Sequence, residues 1–430
     1  MLMLRYTLFL SILSLVIIPP LPAADTTVGT TAVAESPIQV APDDWPWWRG
    51  VSRNGIATAG PAPPIKWSES SHVAWKVSIP GRGHGSPSVL GTRVFIAAAD
   101  RAKQTQSVFC FDRKTGKALW TTVVHRGPLE KRGNKKSSQA SCTPACDGQK
   151  VYVNFLHKGS VVTSALDLDG GIAWQTTVTG YQTHQGFSSS PCLFGSLVIV
   201  SADNRGGGAV VAMSRATGKV AWKQSRPKKA NYTSPIVFKV SGRDQALMVG
   251  TNLVSSYDPL TGKKLWEING ATTECVTSVV TDGTRIFTSG GYPRNHVQAV
   301  LADGSGKTAW QNTQRVYVPS MVAHQGTLYA VLDAGIATAW DTTTGKTLWK
   351  KRLGGTFTSS LVLAAGNLYA TDESGQTSVF AASRDGLKLK SKNKLGQQTY
   401  SSMAISGGRI FHRVATNDGG RREWLYCLSR

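Results

Sequence analysis

The stretch Val108-Phe109-Cys110-Phe111-Asp112, followed by Thr115-Gly116-Lys117 and then by Leu119-Trp120, decides the fold. It reads as an alternating strand, a tight turn and a second strand, which is a β-hairpin. The glycine is explained by turn chemistry, because such a short connection needs one residue with positive φ. Asp112, just ahead of the turn, is placed to hold it through side-chain-to-backbone bonds.

The same hairpin returns down the chain. Thr217-Gly218-Lys219 leads to Trp222, Thr261-Gly262-Lys263 to Trp266, Ser305-Gly306-Lys307 to Trp310, and Thr344-Gly345-Lys346 to Trp349. A looser copy at Asp169-Gly170-Gly171 leads to Trp174. In another, at Asp385-Gly386, Lys390 is read at the tryptophan position. Upstream of each hairpin lies a second pair of short strands. Their openings are Ser86-Pro87, Thr143-Pro144, Ser190-Pro191, Ser234-Pro235, Ser278-Val279, Ser320-Met321, Ser360-Leu361 and Ser402-Met403. Four strands per unit, repeated eight times, predict an all-β, eight-bladed β-propeller.

The eighth unit runs out of chain where its tryptophan hairpin should turn, while His72 to Val77 carries an orphan tryptophan strand. Pairing Trp75 with the segment Trp424 to Leu428 would close the ring with a strand from the N-terminal side and remove the open edge. Trp75, Trp120, Trp174, Trp222, Trp266, Trp310 and Trp349 are then blade-docking residues, each wedged against the next blade.

The chain divides accordingly. Residues 1–24, or 1–34, read as a signal peptide: Arg5 precedes an apolar run from Leu8 to Ile18 that is short for a membrane span, and small residues follow. Residues 25–42 form a linker, 43–71 an irregular N-terminal cap, and 72–430 the propeller. The expected location is the periplasm, the cell envelope or the exterior, with no transmembrane span in the mature chain. A monomer is expected.

The formal net charge is +23, which favours polyanions in general, and export makes nucleic acid the least suitable among them. Envelope proteins and anionic glycans remain as partners. Six cysteines are irregularly spaced without any Cys-x-x-Cys, so most read as small core residues; Cys142 and Cys146 are the one pair close enough to consider as a bridge. The eight histidines are scattered, and no metal site is expected.

These repeats resemble the PQQ-like repeat family, in which bacterial quinoprotein dehydrogenases and the outer-membrane assembly scaffold BamB share an eight-bladed, tryptophan-docked ring. A narrower match runs through Trp45-Pro46-Trp47-Trp48-Arg49-Gly50, Arg53-Asn54-Gly55, Lys66-Trp67 and Val73-Ala74-Trp75-Lys76 to Ile79-Pro80-Gly81. It is similar to the N-terminal segment of exported PQQ-like propeller proteins. The dehydrogenases imply a vicinal cysteine pair over the quinone, a calcium held by Glu and Asn, and an Asp base. No adjacent cysteines occur here, so no catalytic residue is carried over and no cofactor is expected, although pyrroloquinoline quinone stays open.

Ligands of propellers meet the connections at one mouth of the channel. The residues just before the strand openings are therefore the candidates: Arg82, His84, Gln139, His184, Phe187, Asn231, Tyr232, Glu274, Tyr317, Phe357, Gln398 and Tyr400. The connections on this side also carry cations, among them Arg126, Lys131, Arg132, Lys135, Lys136, Arg226, Lys228, Lys229, Arg315, Lys351 and Arg352, which predicts an electropositive mouth. The expected function is a non-catalytic protein- or ligand-binding scaffold of the envelope. The alternatives are a divergent quinoprotein oxidoreductase and an envelope glycan-binding propeller.

Overall fold

In the computed structural model, residue 38 and residues 40–131 and 133–430 are described; the proposed leader and Arg132 lie outside them. Those residues contain no helix and form eight sheets, each built on four antiparallel strands. Blades 1 to 7 follow chain order, at 88–126, 145–180, 192–226, 236–269, 280–312, 322–352 and 362–394. Blade 8 consists of Ala404–Ser406, Arg409–Thr416 and Arg422–Leu428, with Val73–Ile79 as its outermost strand.

The closing pairing is antiparallel, with Trp75 opposite Cys427, Val77 opposite Leu425 and Ile79 opposite Glu423. Blade cores read as unbroken apolar runs because both faces of each sheet are covered by neighbouring blades. Leu197–Ser201 is buried along its whole length. The outermost strands alternate instead, as in Val220–Arg226, since only one of their faces packs inward.

The tryptophans dock the blades by one repeated device. Trp75 Nε1 donates to Arg113 O at 3.1 Å, and its ring covers Gly116, where an added Cβ would lie 2.7 Å from the indole. The same arrangement joins Trp120 to Leu168 O, Trp174 to Arg215 O, Trp222 to Pro259 O, Trp310 to Thr342 O and Trp349 to Ser383 O. At Gly116, Gly170, Gly218, Gly262 and Gly345 the glycine is required twice over, because its φ is positive and the indole leaves no room for a side chain; a Cβ at Gly386 of blade 7 would meet nothing. Trp266 departs from the pattern. Its indole donates to Gln245 Oε1, and Gln245 Nε2 relays the link to Ala302 O of the next blade.

Blade 7 corrects the sequence reading of Lys390. In blade 6, Trp349 stands opposite Ala339 just after a bulge, and the matching register in blade 7 pairs Ser391 with Val379. Lys390 is the bulged residue and is exposed. The missing indole comes from the N-terminal segment. Ser391 Oγ donates to Ile65 O, Asn393 Nδ2 donates to the same oxygen at 3.0 Å, and Trp67 N donates to Asn393 Oδ1 at 3.0 Å. Trp67 is thereby buried and stacks on Tyr369 with centroids 6.3 Å apart. In blade 6 Trp349 makes the corresponding pair with Tyr329 at 6.4 Å.

All six cysteines are buried and none is disulfide-bonded, so the suggested Cys142–Cys146 bridge is not formed. Among the described residues no helix is long and apolar enough to cross a membrane.

Candidate functional site

Two things shape the channel: a floor made by the N-terminal segment and a belt made by the strand openings. The floor crosses the ring. Trp45 bridges to Val89 of blade 1, and Pro46 O accepts from Cys146 N of blade 2. Arg53 reaches Cys192 and Leu193 of blade 3, Asn54 Nδ2 donates to Thr281 O of blade 5, and Ile56–Ala57 adds a parallel strand beside Leu363 and Ala364 of blade 7. Arg49 is 2% exposed and donates to Leu361 O, Met321 O and Asn54 O. One short segment thus ties six blades together across the axis and closes that end.

The belt lies above the floor. Two residues before each innermost strand stands a hydroxyl, and at seven of the eight it accepts the backbone N–H of the corresponding residue one blade earlier. Ser86 N donates to Thr143 Oγ1, Thr143 N to Ser190 Oγ, and Ser190 N to Ser234 Oγ; Ser278 N donates to Ser320 Oγ, Ser320 N to Ser360 Oγ, Ser360 N to Ser402 Oγ, and Ser402 N to Ser86 Oγ. Seven links of an eightfold ring are made, all between 2.8 and 3.0 Å. At the eighth, Ser278 Oγ accepts instead from Trp48 Nε1 at 2.7 Å, so the floor plugs into the belt at its one gap.

Above the belt opens a cup of about 420 Å³. Six of the sequence candidates line it: His84, Phe187, Tyr232, Tyr317, Phe357 and Tyr400. His84 packs its ring on Tyr400 with centroids 4.6 Å apart, and Arg82 Nε donates to His84 Nε2 at 3.3 Å from outside the wall. His184 and Glu274 stand behind the lining as its braces. Tyr317 OH donates to Glu274 Oε2 at 3.3 Å, His184 Nδ1 lies 3.0 Å from Tyr232 OH and 3.3 Å from Glu274 Oε1, and Arg205 Nη2 donates to His184 Nε2 at 2.8 Å. Burial, reinforced by the Glu274 carboxylate, pushes both tyrosine hydroxyls well above their usual range. Both hydroxyls keep their protons.

The other candidates do not reach the cup. Asn231 is a buried pin that bonds Asp203, Thr233 and Val249 O through Nδ2 and receives Cys275 N on Oδ1. Gln139 donates to Glu130 O in a neighbouring cleft. Gln398 is taken up in a backbone bridge to Ala415.

The lining charges sequence reading passed over are carboxylates. Glu373 accepts from Lys136 Nζ at 2.7 Å and from Thr358 Oγ1 at 2.6 Å. Asp333 accepts from Tyr317 N at 2.8 Å, and burial raises its pKa. Arg315 stacks 5.1 Å over the Tyr317 ring. Cations and carboxylates balance at the rim, so the lining itself is not the one-signed surface expected from the loop lysines. Arg226 also leaves that set, being buried against Asp203 at 3.2 Å. A hydroxyl at one fixed repeat position facing the axis was the available signal for the belt; Asp333 and Glu373 also share one repeat position, two residues before Gly335 and Gly375 in matching turns of blades 6 and 7, which a reading confined to the strand openings passes over.

Comparison with known proteins places this geometry. The family described as outer membrane protein assembly factor BamB matches residues 46–185, 104–299 and 293–421. The chain belongs to that PQQ-repeat family. It is 24% identical over 386 residues to the outer membrane protein assembly factor BamB of Yersinia pestis, covering 86% of this chain and 84% of that one. The Burkholderia pseudomallei BamB is 28% identical, covering 64% of this chain and 68% of its own. Among solved structures, Moraxella catarrhalis BamB superposes with a TM-score of 0.59 at 13% identity, covering 82% of this chain and 99% of that one. The quinohemoprotein alcohol dehydrogenase of Comamonas testosteroni superposes with a TM-score of 0.65 at 13% identity, covering 90% and 80%. At these identities the structural likeness establishes the fold.

Pyrroloquinoline quinone is implied by the second group, and the residues present do not fit it. Glu373 and Asn134 are the residue types its calcium would need, but the Lys136 ammonium sits on Glu373, while Asn134 Nδ2 donates to Gln185 and its Oδ1 accepts from Lys136 N. Among the described residues no three His, Cys, Asp or Glu side chains gather as a ligand set, and no two thiols are vicinal.

Proposed function

We propose that the protein is a non-catalytic binding scaffold of the cell envelope that docks a partner protein against the mouth of the ring. The observation carrying this is the braced aromatic rim. Tyr317, Tyr232 and Tyr400 are held by second residues rather than left to rotate, and Tyr292, in a hairpin of the same face, is 56% exposed. Rigid tyrosines with arginine beside them are the composition of binding hot spots. The relatives named as assembly factors and the leader-like first residues support the same reading and the envelope location.

A photo-crosslinking residue placed in cells at Tyr292 or Phe357 is expected to capture a discrete envelope protein, and one at Leu119 on the outer strand of blade 1 is not. Capture at Leu119 with none at the mouth would overturn the proposal. The oxidoreductase alternative predicts stoichiometric uptake of pyrroloquinoline quinone with an absorbance change. The binding reading predicts none, and saturable uptake would defeat it.

A further inference from the structure

We infer that the cup is a receptor for a carboxylate carried on an apolar stem. The inference deepens the binding reading above and rests on it only for the nature of the carrier. Six belt hydroxyls face the cup: Ser86, Thr143, Ser190, Ser234, Ser360 and Ser402. Each oxygen already accepts a backbone N–H; the Ser190 hydroxyl also bonds the Cys142 thiol, and among the described residues the other five donate to no protein acceptor. The cup floor therefore presents a set of unspent O–H donors on rotors that can turn toward a common guest.

An ionised carboxylate brings acceptors only, about four lone-pair sites on two oxygens, and so complements such a set. A sugar hydroxyl brings one donor with every acceptor and gains less there over water. The charge beneath the belt decides between them. The Arg49 guanidinium lies one residue below Ser320 and Ser360, bonded to the carbonyls of Met321 and Leu361, with only carbonyl oxygens as acceptors. Burial lowers its pKa only to about 9, so it remains a cation at neutral pH, and among the described residues no carboxylate bonds to it. At the rim, Lys136 is matched by Glu373 and Arg315 faces Asp333, so the surplus field at the floor is positive. Phe187, Phe357 and Tyr400 above the belt supply the apolar wall for the stem. The cup volume lies within the roughly 300–1,000 Å³ range of small-molecule sites.

The test is calorimetric titration of the full chain with 3-phenylpropionate, 3-phenylpropionamide and glucose. Two further probes are an acetylated hexapeptide with a free C-terminal carboxylate and its C-terminal amide. The carboxylates are expected to bind at least about tenfold more tightly than their amides and than glucose, as a charge-assisted hydrogen bond predicts. Ser360→Ala and Ser402→Ala should each weaken the carboxylate by about tenfold while Lys351→Gln leaves it unchanged. If a serine variant does not fold, Phe357→Ala, which leaves the belt intact, gives the location. Tighter binding of the hexapeptide assigns the carrier as a chain end, and tighter binding of phenylpropionate assigns a free acid. Equal affinity for acid and amide, preference for glucose, or unchanged affinity in the serine and Phe357 variants would overturn the inference. Carboxylate binding without any crosslink at Phe357 would sink the docking reading and leave this one standing; a crosslink without carboxylate preference would do the reverse.

Discussion

Replacing Trp67 by alanine tests whether an indole from outside the repeats completes blade 7. Trp67 is 6% exposed and stacks on Tyr369 within a cluster that includes Met403, Ile405 and Tyr426 of blade 8. A buried aromatic of this size removes about 200 Å² from water, worth roughly 5 kcal/mol at about 25 cal/mol per Å². Truncations of buried Trp or Phe cost about 3–5 kcal/mol, so a loss in that range is expected. The readout is the shift of the guanidinium unfolding midpoint at unchanged slope. The decisive variant is Ser391→Trp, which puts the indole back at the repeat position. In the Trp67→Ala background it should recover part of the loss. In the wild-type chain, where two indoles would compete for one pocket, it should cost about 1–3 kcal/mol by overpacking. Opposite signs in the two backgrounds are the signature of a shared pocket. A Trp67→Ala loss under about 1 kcal/mol, or the same Ser391→Trp effect in both backgrounds, would refute the substitution.

Three other outcomes follow. Gly116→Ala places a methyl 2.7 Å from the Trp75 ring, whereas Gly283→Ala, at a similar positive φ, meets open space; thermal melts should show the first losing more than the roughly 1–2 kcal/mol of backbone strain expected for the second, and equal losses would refute indole docking. His412 is fully buried and burial lowers its pKa to about 3, so below the ordinary value of 6.5 the unfolded chain binds a proton that the folded chain refuses. Its contribution to stability is therefore lost as pH falls from 6.5 toward 3, by about 1.4 kcal/mol per unit, and His412→Met should flatten urea midpoints measured between pH 7 and 5. A parallel slope in that variant would count against it. Burial pushes the thiols of Cys110, Cys142, Cys146 and Cys275 up to about 12, so a thiol reagent should be inert toward the native chain and titrate six groups once it unfolds; rapid reaction of the native protein would contradict the buried, unbridged assignment.

The fold was legible because its determinants are local and repeated. Each turn glycine and its tryptophan lie within a few residues, and even the ring closure through Trp75 could be read from an unpaired strand at one end and a missing one at the other. The docking partner of Trp67 was not legible, since nothing local links Ile65 to Ser391. Counting from the turn glycine put Lys390 at the tryptophan position; both blades carry the same bulge, but the connection in blade 7 is longer, closing Ala381 on Lys388 where blade 6 closes Asp341 on Lys346, and the place passes to Ser391.

The site was half legible for the same reason. Position before each strand opening found six cup residues, because the repeat fixes where those residues point. It could not separate lining from bracing. His184 and Glu274 sit at equivalent places but turn behind Tyr232 and Tyr317, and Asn231 is drawn into the wall by Asp203 and Val249. The floor was read as a cap on the ring, yet its role in the belt depends on a bond between Trp48 and Ser278, 230 residues apart. Long-range polar contacts of this kind leave no periodic trace.

Amide hydrogen exchange of residues 45–79 in the native chain bears most directly on the claim that the N-terminal segment builds the floor, supplies the missing indole and closes the ring. The backbone N–H groups of Trp45, Trp67 and the strand Val73–Ile79 should exchange as slowly as those of the innermost blade strands. Fast exchange at Trp45 and Trp67, with the blades still protected, would show a detachable tail and contradict it.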